Sequence, residues 1–169
     1  MSIVAVAMHH ERAIKEFEAD FERAGESRIP AWFADPSWSQ EDRVARVNGW
    51  SEGRFLPAGW KPCTTRFYER AGELLGVVNV RHVLDERMRR LGGHVGYSVR
   101  PSARRQGIGT ALLAAGLEVL GDLGVDQALL TCDQDNTGSI RIIEGHGGVP
   151  TAPVVREDGI TLRFWVPVP

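Results

Sequence analysis

The residues of this chain best suited to chemistry are two closely spaced glycines, Gly107 and Gly109, which follow the arginine pair Arg104 and Arg105. Glycine lets a ligand approach the backbone closely, and a helix that begins here presents unpaired N–H groups and a partial positive charge. The two guanidinium groups add positive charge beside those N–H groups. These features suit a pyrophosphate, so the segment predicts a site for a phosphate-bearing cofactor.

The spacing of these glycines distinguishes between phosphate-binding patterns. The loop of nucleotide hydrolases requires a lysine after its last glycine, and none follows Gly109. The dinucleotide fingerprint requires a third glycine where this chain has Leu112, so a Rossmann-type oxidoreductase is the least favoured alternative. The pattern that residues 104–109 do match is Arg/Gln-x-x-Gly-x-Gly/Ala.

Residues 104–109 resemble the acyl-CoA pyrophosphate loop of the GNAT superfamily of N-acetyltransferases. A predicted strand that ends in Val-x-Pro precedes this loop, and residues 129–139 resemble the family's fifth strand and fourth helix. The resemblance covers residues 63–148 well. The segments that further resemble a bacterial subgroup of predicted acetyltransferases are Arg81-His82, residues 92–102 and residues 131–133.

The resemblance implies the GNAT acyl-CoA N-acyltransferase fold, an α/β (α+β) architecture with a mixed, mostly antiparallel central sheet flanked by helices. Because 169 residues are typical of one domain, residues 1–169 are expected to form a single N-acetyltransferase domain. Periodicity predicts strands at 3–8, 63–69, 74–82, 93–99, 127–131, 149–155 and 160–166, with helices at 11–24, 39–50, 107–123 and 136–146.

The resemblance also implies how acetyl-CoA binds. The strand before the loop separates from its neighbour, its backbone pairs with the pantetheine arm, and a main-chain N–H polarises the thioester carbonyl. Asn136 and Ser139, three residues later, line the pantetheine side. An N-cap role for Asn136 is the alternative, and it is compatible with that contact. The residues expected to bind acetyl-CoA are Ser98, Val99, Arg100, Arg104, Arg105, Gln106, Gly107, Ile108, Gly109, Thr110, Asn136 and Ser139.

The general acid and base are less well defined. Many GNAT enzymes have a tyrosine seven residues after the motif asparagine, and here that position is Ile143, which transfers no proton. Where the family often has a glutamate base, this chain has His94, which is either a base near neutral pH or a hydrogen-bonded structural histidine. Strand alternation puts Ser98 on the His94 face and Tyr97 on the opposite face, in the core or within reach of the thiolate. The catalytic candidates are therefore His94, Tyr97 and Ser98.

Other nucleophiles and bases are secondary candidates. Cys132 beside Asp133 would suit a covalent acyl intermediate, although a buried strand cysteine is the commoner case. His82 and Glu69 lie on neighbouring predicted strands and are more often structural than catalytic.

Aromatic side chains concentrate between the first helix and the first long strand, where the superfamily usually builds acceptor specificity. With Asp35, Glu41 and Asp42 they suit a cationic, partly apolar amine, and the alternative is a small core beneath an irregular loop. Asp133 and Asp135 are a second candidate ammonium site or, equally, turn and cap residues. The aromatic residues are Trp32, Phe33, Trp38, Trp50, Phe55 and Trp60.

The bulk properties exclude several classes. A net charge of −2 implies no nucleic-acid partner, and two cysteines outside any metal-ligand spacing imply neither a disulfide framework nor a metal. The absence of a long apolar run implies no membrane partner and a cytoplasmic protein. The interpretation favoured is an acetyl-CoA-dependent N-acetyltransferase that acts on a small-molecule amine by direct transfer in a ternary complex. An acyl-CoA-sensing module, a protein lysine or N-terminal acetyltransferase, and a homodimer stay open.

Overall fold

A computed structural model describes residues 2–26 and 37–169. Its strands are β1 (Ser2–Val4), β2 (Cys63–Arg70), β3 (Glu73–Arg81), β4 (Val95–Val99), β5 (Gln127–Asp133), β6 (Val149–Arg156) and β7 (Gly159–Pro167). Its α-helices are α1 (Glu11–Arg23), α2 (Gln40–Gly49), α3 (Ile108–Asp122) and α4 (Thr137–Gly145). Three 3₁₀ turns lie at Met8–His10, Trp50–Glu52 and Pro101–Ala103, and one π turn lies at Met88–Gly92.

The strands form two antiparallel sheets. One has the order β1-β2-β3-β4 and the other the order β5-β7-β6. The β2–β3 hairpin turns through Ala71 and Gly72, which both have positive φ, as a tight two-residue turn requires. The expected α/β class is confirmed, and every strand ladder in the described residues is antiparallel.

The first sheet is covered on both faces. Its strand β3 is apolar along almost its whole length, so side chains on both faces of the strand are buried. Val78 and Val80 pack with α3, whereas Val77 packs with the apolar side of α1 and α2. Phe17 and Phe21 form the apolar stripe of α1, and both are completely buried. The sheet therefore separates a core under α3 from a core under α1 and α2.

Two predicted boundaries at the start of the chain differ from those observed. The strand expected at residues 3–8 ends at Val4, because the Ala7 N–H donates to the His10 Nδ1 and the chain turns there. The second helix begins as expected, since the Ser39 hydroxyl accepts from the Asp42 N–H at 3.1 Å. It ends at Gly49, and Trp50 opens a 3₁₀ turn.

Candidate functional site

A cleft opens where β4 and β5 separate. The two strands touch at their beginnings, where the His94 N–H donates to the Leu129 carbonyl at 2.6 Å and the Leu129 N–H donates to the His94 Nδ1 at 2.9 Å. Beyond this contact no ladder joins them anywhere in the described chain. The separation leaves a cavity of about 230 Å³ between the strands, with α4 along one side.

The free edge of β4 faces this cleft with only some of its backbone groups. The Arg100 N–H donates to the Leu75 carbonyl of β3 at 2.9 Å, so Arg100 belongs to the β3 edge. Successive residues of a strand direct their hydrogen-bonding groups to opposite edges, which assigns Ser98 to the β3 edge as well. The N–H groups of Tyr97 and Val99 therefore face β5. Ser98, Val99 and Arg100 are the strand residues among those expected to bind acetyl-CoA, and of these Val99 has its N–H on the cleft edge.

The predicted pyrophosphate loop leads into α3. Arg105 and Gly107 both adopt positive φ, of 64° and 76°, which turns the chain sharply into the helix. The first helical hydrogen bond runs from the Ala111 N–H to the Gly107 carbonyl. The N–H groups of Ile108, Gly109 and Thr110 consequently have no acceptor within the helix and lie at its positive end.

The two glycines of the loop have different roles. A Cβ at Gly107 would meet no atom within 4 Å, so its requirement for glycine comes from its positive φ. A Cβ at Gly109 would lie 2.8 Å from the Ile142 Cδ1 and 3.6 Å from the Tyr97 ring. Gly109 thus permits the close packing of α3 against α4 and Tyr97, whereas Gly107 leaves open space for a ligand.

The arginines beside the loop differ in how free they are. Arg104 forms two bonds to the Glu26 carboxylate at 2.7 and 2.6 Å, and its Nε donates to the Val99 carbonyl. The pyrophosphate role expected for Arg104 therefore requires the Glu26 ion pair to open. Arg105 is exposed, and Arg70 donates to the Gln106 side chain at 2.9 Å. Sequence reasoning missed Arg70 because it lies 36 positions from Gln106 and no local pattern signals that contact.

A buried carboxylate on α1 holds the chain that leads into the loop. One oxygen of Asp20 accepts from the N–H and the hydroxyl of Ser102, at 3.0 and 2.8 Å, and lies 3.2 Å from the Arg100 Nε. Burial opposes its ionisation, but these donors and Arg23 outweigh that effect and lower the pKa of Asp20 to about 2. The Arg100 side chain is thereby directed to α1 and away from the cleft.

Tyr97 directs its hydroxyl into the cleft. Tyr97 pairs with Val78, so its ring lies on the α3 face, and its hydroxyl is buried without a hydrogen bond in residues 2–26 and 37–169. Burial raises the pKa of this phenol, and the nearby Ser139 hydroxyl opposes the shift only in part. Ser98 pairs with Val77 and lies on the opposite face, outside the cleft lining.

The start of α4 supplies the other polar side of the cleft. The Asn136 side chain accepts from the Ser139 N–H at 3.0 Å, so the N-cap interpretation is confirmed, and both residues also line the cleft. Ile143 is 1% exposed and lines the same cavity. The Tyr97 hydroxyl thus faces the region in which Ile143 stands where many family members have a tyrosine.

His94 has a different environment from the one expected of a general base. Its Nδ1 accepts the Leu129 N–H, so the proton of the neutral ring is on Nε2 and neither nitrogen has a free lone pair. Burial and the charge of Arg89 lower the pKa of His94. The geometry therefore disagrees with the role of base, and His94 joins β4 to β5 at the closed end of the cleft.

Cys132 and Asp133 both line the cleft. Burial, together with the carboxylates of Asp133 and Glu144, raises the pKa of the Cys132 thiol to about 11. A thiol in this state is a poor nucleophile at neutral pH, which argues against the covalent mechanism. The Asp133 carboxylate lies 3.0 Å from the Arg156 guanidinium.

The secondary histidine and glutamate lie elsewhere. The His82 Nε2 is 2.8 Å from the Thr64 hydroxyl, and burial lowers the pKa of His82. Glu69 lies 3.8 Å from the His10 Nε2, and His9 completes a cluster whose donor atoms are within 4.8 Å of one another. Because the His10 Nδ1 accepts the Ala7 N–H, its Nε2 carries the proton, which opposes metal binding there.

The aromatic region expected to bind the acceptor has a small core around Trp50, whereas Phe55 and Trp60 are exposed. Trp50 is completely buried and donates from its indole N–H to the Phe55 carbonyl at 3.1 Å. The rings of Trp38 and Trp60 lie 6.2 and 5.7 Å from that of Trp50. Trp32, Phe33 and Asp35, which were part of the same prediction, lie outside the described residues.

Comparison with known proteins agrees with this architecture. A sequence model of the acetyltransferase (GNAT) family matches residues 20–147. These residues include β4, β5, the loop, α3 and α4, which form most of the cleft described above. The chain belongs to the GNAT family of acetyltransferases.

Individual relatives show the range within the family. A mycothiol acetyltransferase from Thermobispora bispora is 34% identical over 113 residues, which are 66% of this chain and 36% of that protein. The chain thus matches about a third of that relative's length. A Salmonella typhimurium protein solved with its cofactor acetyl-CoA has a TM-score of 0.62 at 19% identity, covering 99% of this chain and 94% of that one. A ribosomal L7/L12 α-N-protein acetyltransferase solved with coenzyme A has a TM-score of 0.68 at 15% identity, covering 98% and 93%. These structural likenesses show a shared fold.

Within the described residues, no helix has both the length and the apolar character that crossing a bilayer requires.

Proposed function

We propose that this protein is a cytoplasmic, acetyl-CoA-dependent N-acetyltransferase that transfers the acetyl group directly to the primary amine of a small molecule. The observation that carries the proposal is the polar-lined cleft between β4 and β5, together with the unpaired N–H groups at the start of α3. The small-molecule acceptor is supported by the relative that is named as a mycothiol acetyltransferase.

The residues present suit acetyl-CoA. The first-turn N–H groups of α3 and the open space above Gly107 suit its pyrophosphate, and Arg105 and Arg70 add positive charge at the loop. The N–H of Val99 and the side chains of Asn136 and Ser139 suit the amide-bearing pantetheine arm. Acetyl-CoA, when bound, supplies the activated acetyl thioester. The N–H of Tyr97, on the free edge of β4, is then available to polarise its carbonyl.

We assign the interaction with the leaving sulfur to the Tyr97 hydroxyl. It is buried, lacks a hydrogen-bond partner in the described structure and faces the cleft beside Ser139. Its pKa is raised, so the phenol stays protonated at neutral pH and donates a hydrogen bond to a developing thiolate. Tyr97 thereby compensates for Ile143, which has no donor.

Direct transfer, without an acyl-enzyme intermediate, is supported by the raised pKa of Cys132, the cysteine among the described residues that line the cleft. The pKa of Cys132 is raised to about 11, so its thiolate is scarce at neutral pH. Asp133 is the one carboxylate among the described residues that line the cleft, and its ion pair with Arg156 holds it at the cavity wall. We propose that this carboxylate orients the incoming amine, whose ammonium form loses a proton to water before the attack. The free amine nitrogen then bonds to the thioester carbon, the C–S bond breaks, and a second amine proton goes to the leaving thiolate.

The test of the proposal combines two measurements. Calorimetry with acetyl-CoA measures cofactor binding, and thiol release measures turnover with polyamines, aminoglycosides, amino acids, amino sugars and short peptides. Release that depends on a small amine supports the enzyme. Acetyl-CoA binding without release from any amine contradicts it in favour of a sensing module, and release with peptides alone favours a protein acceptor.

Replacing Tyr97 with phenylalanine tests its assigned role. We expect kcat to fall about a hundredfold, with little change in the KM for acetyl-CoA, because the lost bond is made to the developing charge. Tyr68→Phe is the matched control, since Tyr68 is the chain's other tyrosine, is buried and lies outside the cleft lining. Equal kcat values for the two variants would contradict the assignment.

A further inference from the structure

A second, larger cavity adjoins the cleft. Its volume is about 490 Å³, and its walls are the segment 85–91, between β3 and β4, and the end of β6. Leu91 and Arg156 line both cavities, so the two spaces are adjacent at these side chains. A molecule in the larger cavity therefore lies next to the space between β4 and β5.

The segment that forms one wall is held from β3. The Arg81 guanidinium donates to the carbonyls of Gly92 and Gly93, at 3.1 and 3.0 Å. Gly93 has a φ of 63°, and a Cβ there would lie within 2.4 Å of the Leu129 carbonyl oxygen, so only glycine allows this path. Arg81, Gly92 and Gly93 belong to the sequence motifs that the pyrophosphate loop does not use.

The same segment is also held from the second sheet. The Thr131 hydroxyl of β5 donates to the Leu91 carbonyl at 3.1 Å, and the Arg163 guanidinium of β7 donates to the Arg89 carbonyl at 3.0 Å. Donors from three strands thus fix an irregular segment that contains a π turn, a feature that is frequent at functional sites. The wall is consequently a preorganised surface.

Two arginines of this cavity lack an ion-pair partner. Arg156 is neutralised by Asp133 and Asp158, at 3.0 and 3.1 Å. Arg87 and Arg90 also line the cavity, and neither forms an ion pair in the part of the chain that the structure describes. Two unpaired guanidinium groups on one wall suit the oxygens of a carboxylate or a phosphate.

Two carboxylates, Asp85 and Glu86, line the same wall. Asp85 accepts the Met88 N–H at 2.8 Å, which directs it to the turn. These carboxylates balance the charges of Arg87 and Arg90, so the wall has no net charge. The preference for an anion therefore comes from the geometry of the two unpaired guanidinium groups and not from the net charge.

We propose that this cavity binds the acceptor and that the acceptor carries an anionic group, a carboxylate or a phosphate, at the end remote from its reacting amine. The inference rests on the proposed acetyltransferase function. Arg87 and Arg90 bind the anionic group, and the amine extends past Leu91 and Arg156 into the cleft. A diamine would place its second ammonium beside the two guanidinium groups and would be repelled.

The experiment compares matched amines in the thiol-release assay. Amino acids are set beside their amides, phosphoethanolamine beside ethanolamine, and 1,4-diaminobutane serves as the dication. Amidation lowers the pKa of the α-amine and so increases its unprotonated fraction, which would favour the amide without an anion site. We expect the opposite order, with kcat/KM about tenfold or more higher for the anionic member of the preferred pair. The amino acid and phosphoethanolamine arms distinguish carboxylate from phosphate.

The outcomes separate this inference from the function on which it rests. Equal or better turnover of the amides, ethanolamine and the diamine overturns the inference and leaves the acetyltransferase intact. Bound acetyl-CoA without turnover of any amine overturns both. Preference for one anionic class supports the inference and identifies the acceptor chemistry.

Two variants and a control locate the effect. Arg87→Gln and Arg90→Gln should each raise the KM of the anionic acceptor about tenfold, with the KM for acetyl-CoA unchanged. Arg12→Gln is the control, because Arg12 is 91% exposed on α1 and pairs only with Glu16 in the described structure. An unchanged acceptor KM in both cavity variants overturns the inference even if anionic amines are preferred.

Discussion

The two sides of the cleft are built in different ways. On the side proposed to bind the cofactor, the loop and the first turn of α3 are consecutive residues, 104–110, and most of their candidate binding groups are backbone N–H groups. On the side proposed to bind the acceptor, the wall at 85–93 is irregular and depends on side chains from β3, β5 and β7. A substitution in the loop therefore changes the binding groups directly. The shape of the wall, in contrast, depends on side chains of strands that are distant in the sequence.

The largest effect is expected on the cofactor side, from Gly107→Glu. A carboxylate at the positive end of α3 replaces attraction for the pyrophosphate with repulsion, so the dissociation constant of acetyl-CoA should rise by about a hundredfold or more. Gly124→Glu is the matched control, since Gly124 has a φ of 74° and equally open surroundings. Both variants should lose about 1–2 kcal/mol of stability from the strained backbone, and calorimetry should find acetyl-CoA binding weakened in Gly107→Glu alone. Equal acetyl-CoA binding by the two variants would contradict the assignment of the pyrophosphate to this loop.

The difference between the two sides also explains what the sequence could predict. The loop and the Ser39 and Asn136 caps were predictable, because each depends on residues close together in the chain. The separation of β4 from its neighbour was expected only from the family resemblance. The Arg104–Glu26 pair and the bond from Leu129 to His94 join residues 78 and 35 positions apart. No periodicity reports such pairs, so the sequence alone leaves His94 open between a general base and a structural histidine.

An intermediate effect is expected from Asp20→Asn, which reaches the loop from α1. The change removes a charged acceptor from Ser102 and leaves Arg100 without its buried partner, so the loop that follows is less well held. We expect the KM for acetyl-CoA to rise about tenfold and the free energy of unfolding to fall by about 1.5–3 kcal/mol. The acceptor KM should be unchanged. A rise in the acceptor KM instead would show that α1 supports the acceptor wall and not the loop, which would contradict this prediction.

The pH dependence of Asp20→Asn sharpens this prediction. The folded-state pKa of Asp20 is about 2, below the unfolded value of about 3.9. Its ionised form therefore stabilises the folded protein above about pH 4, and this contribution is lost as the pH falls toward 2. Denaturant unfolding of wild type and variant should show a constant difference above pH 4 that shrinks below it. A difference that persists at pH 2 would assign the stabilisation to packing.

The smallest effect is expected on the acceptor side, from Arg163→Gln. Arg163 donates to the carbonyls of Ala152 and Arg89, so it ties β6 and the wall to β7 without lining either cavity. Its loss should loosen the wall and raise the KM of the acceptor about threefold, since two neutral-acceptor hydrogen bonds at the surface are worth little each. Arg163→Lys should recover part of that loss because the ammonium still reaches one carbonyl. The KM for acetyl-CoA is the internal reference: if it changes as much as the acceptor KM, the wall and the loop are coupled, and the separation between the two sides of the cleft is wrong.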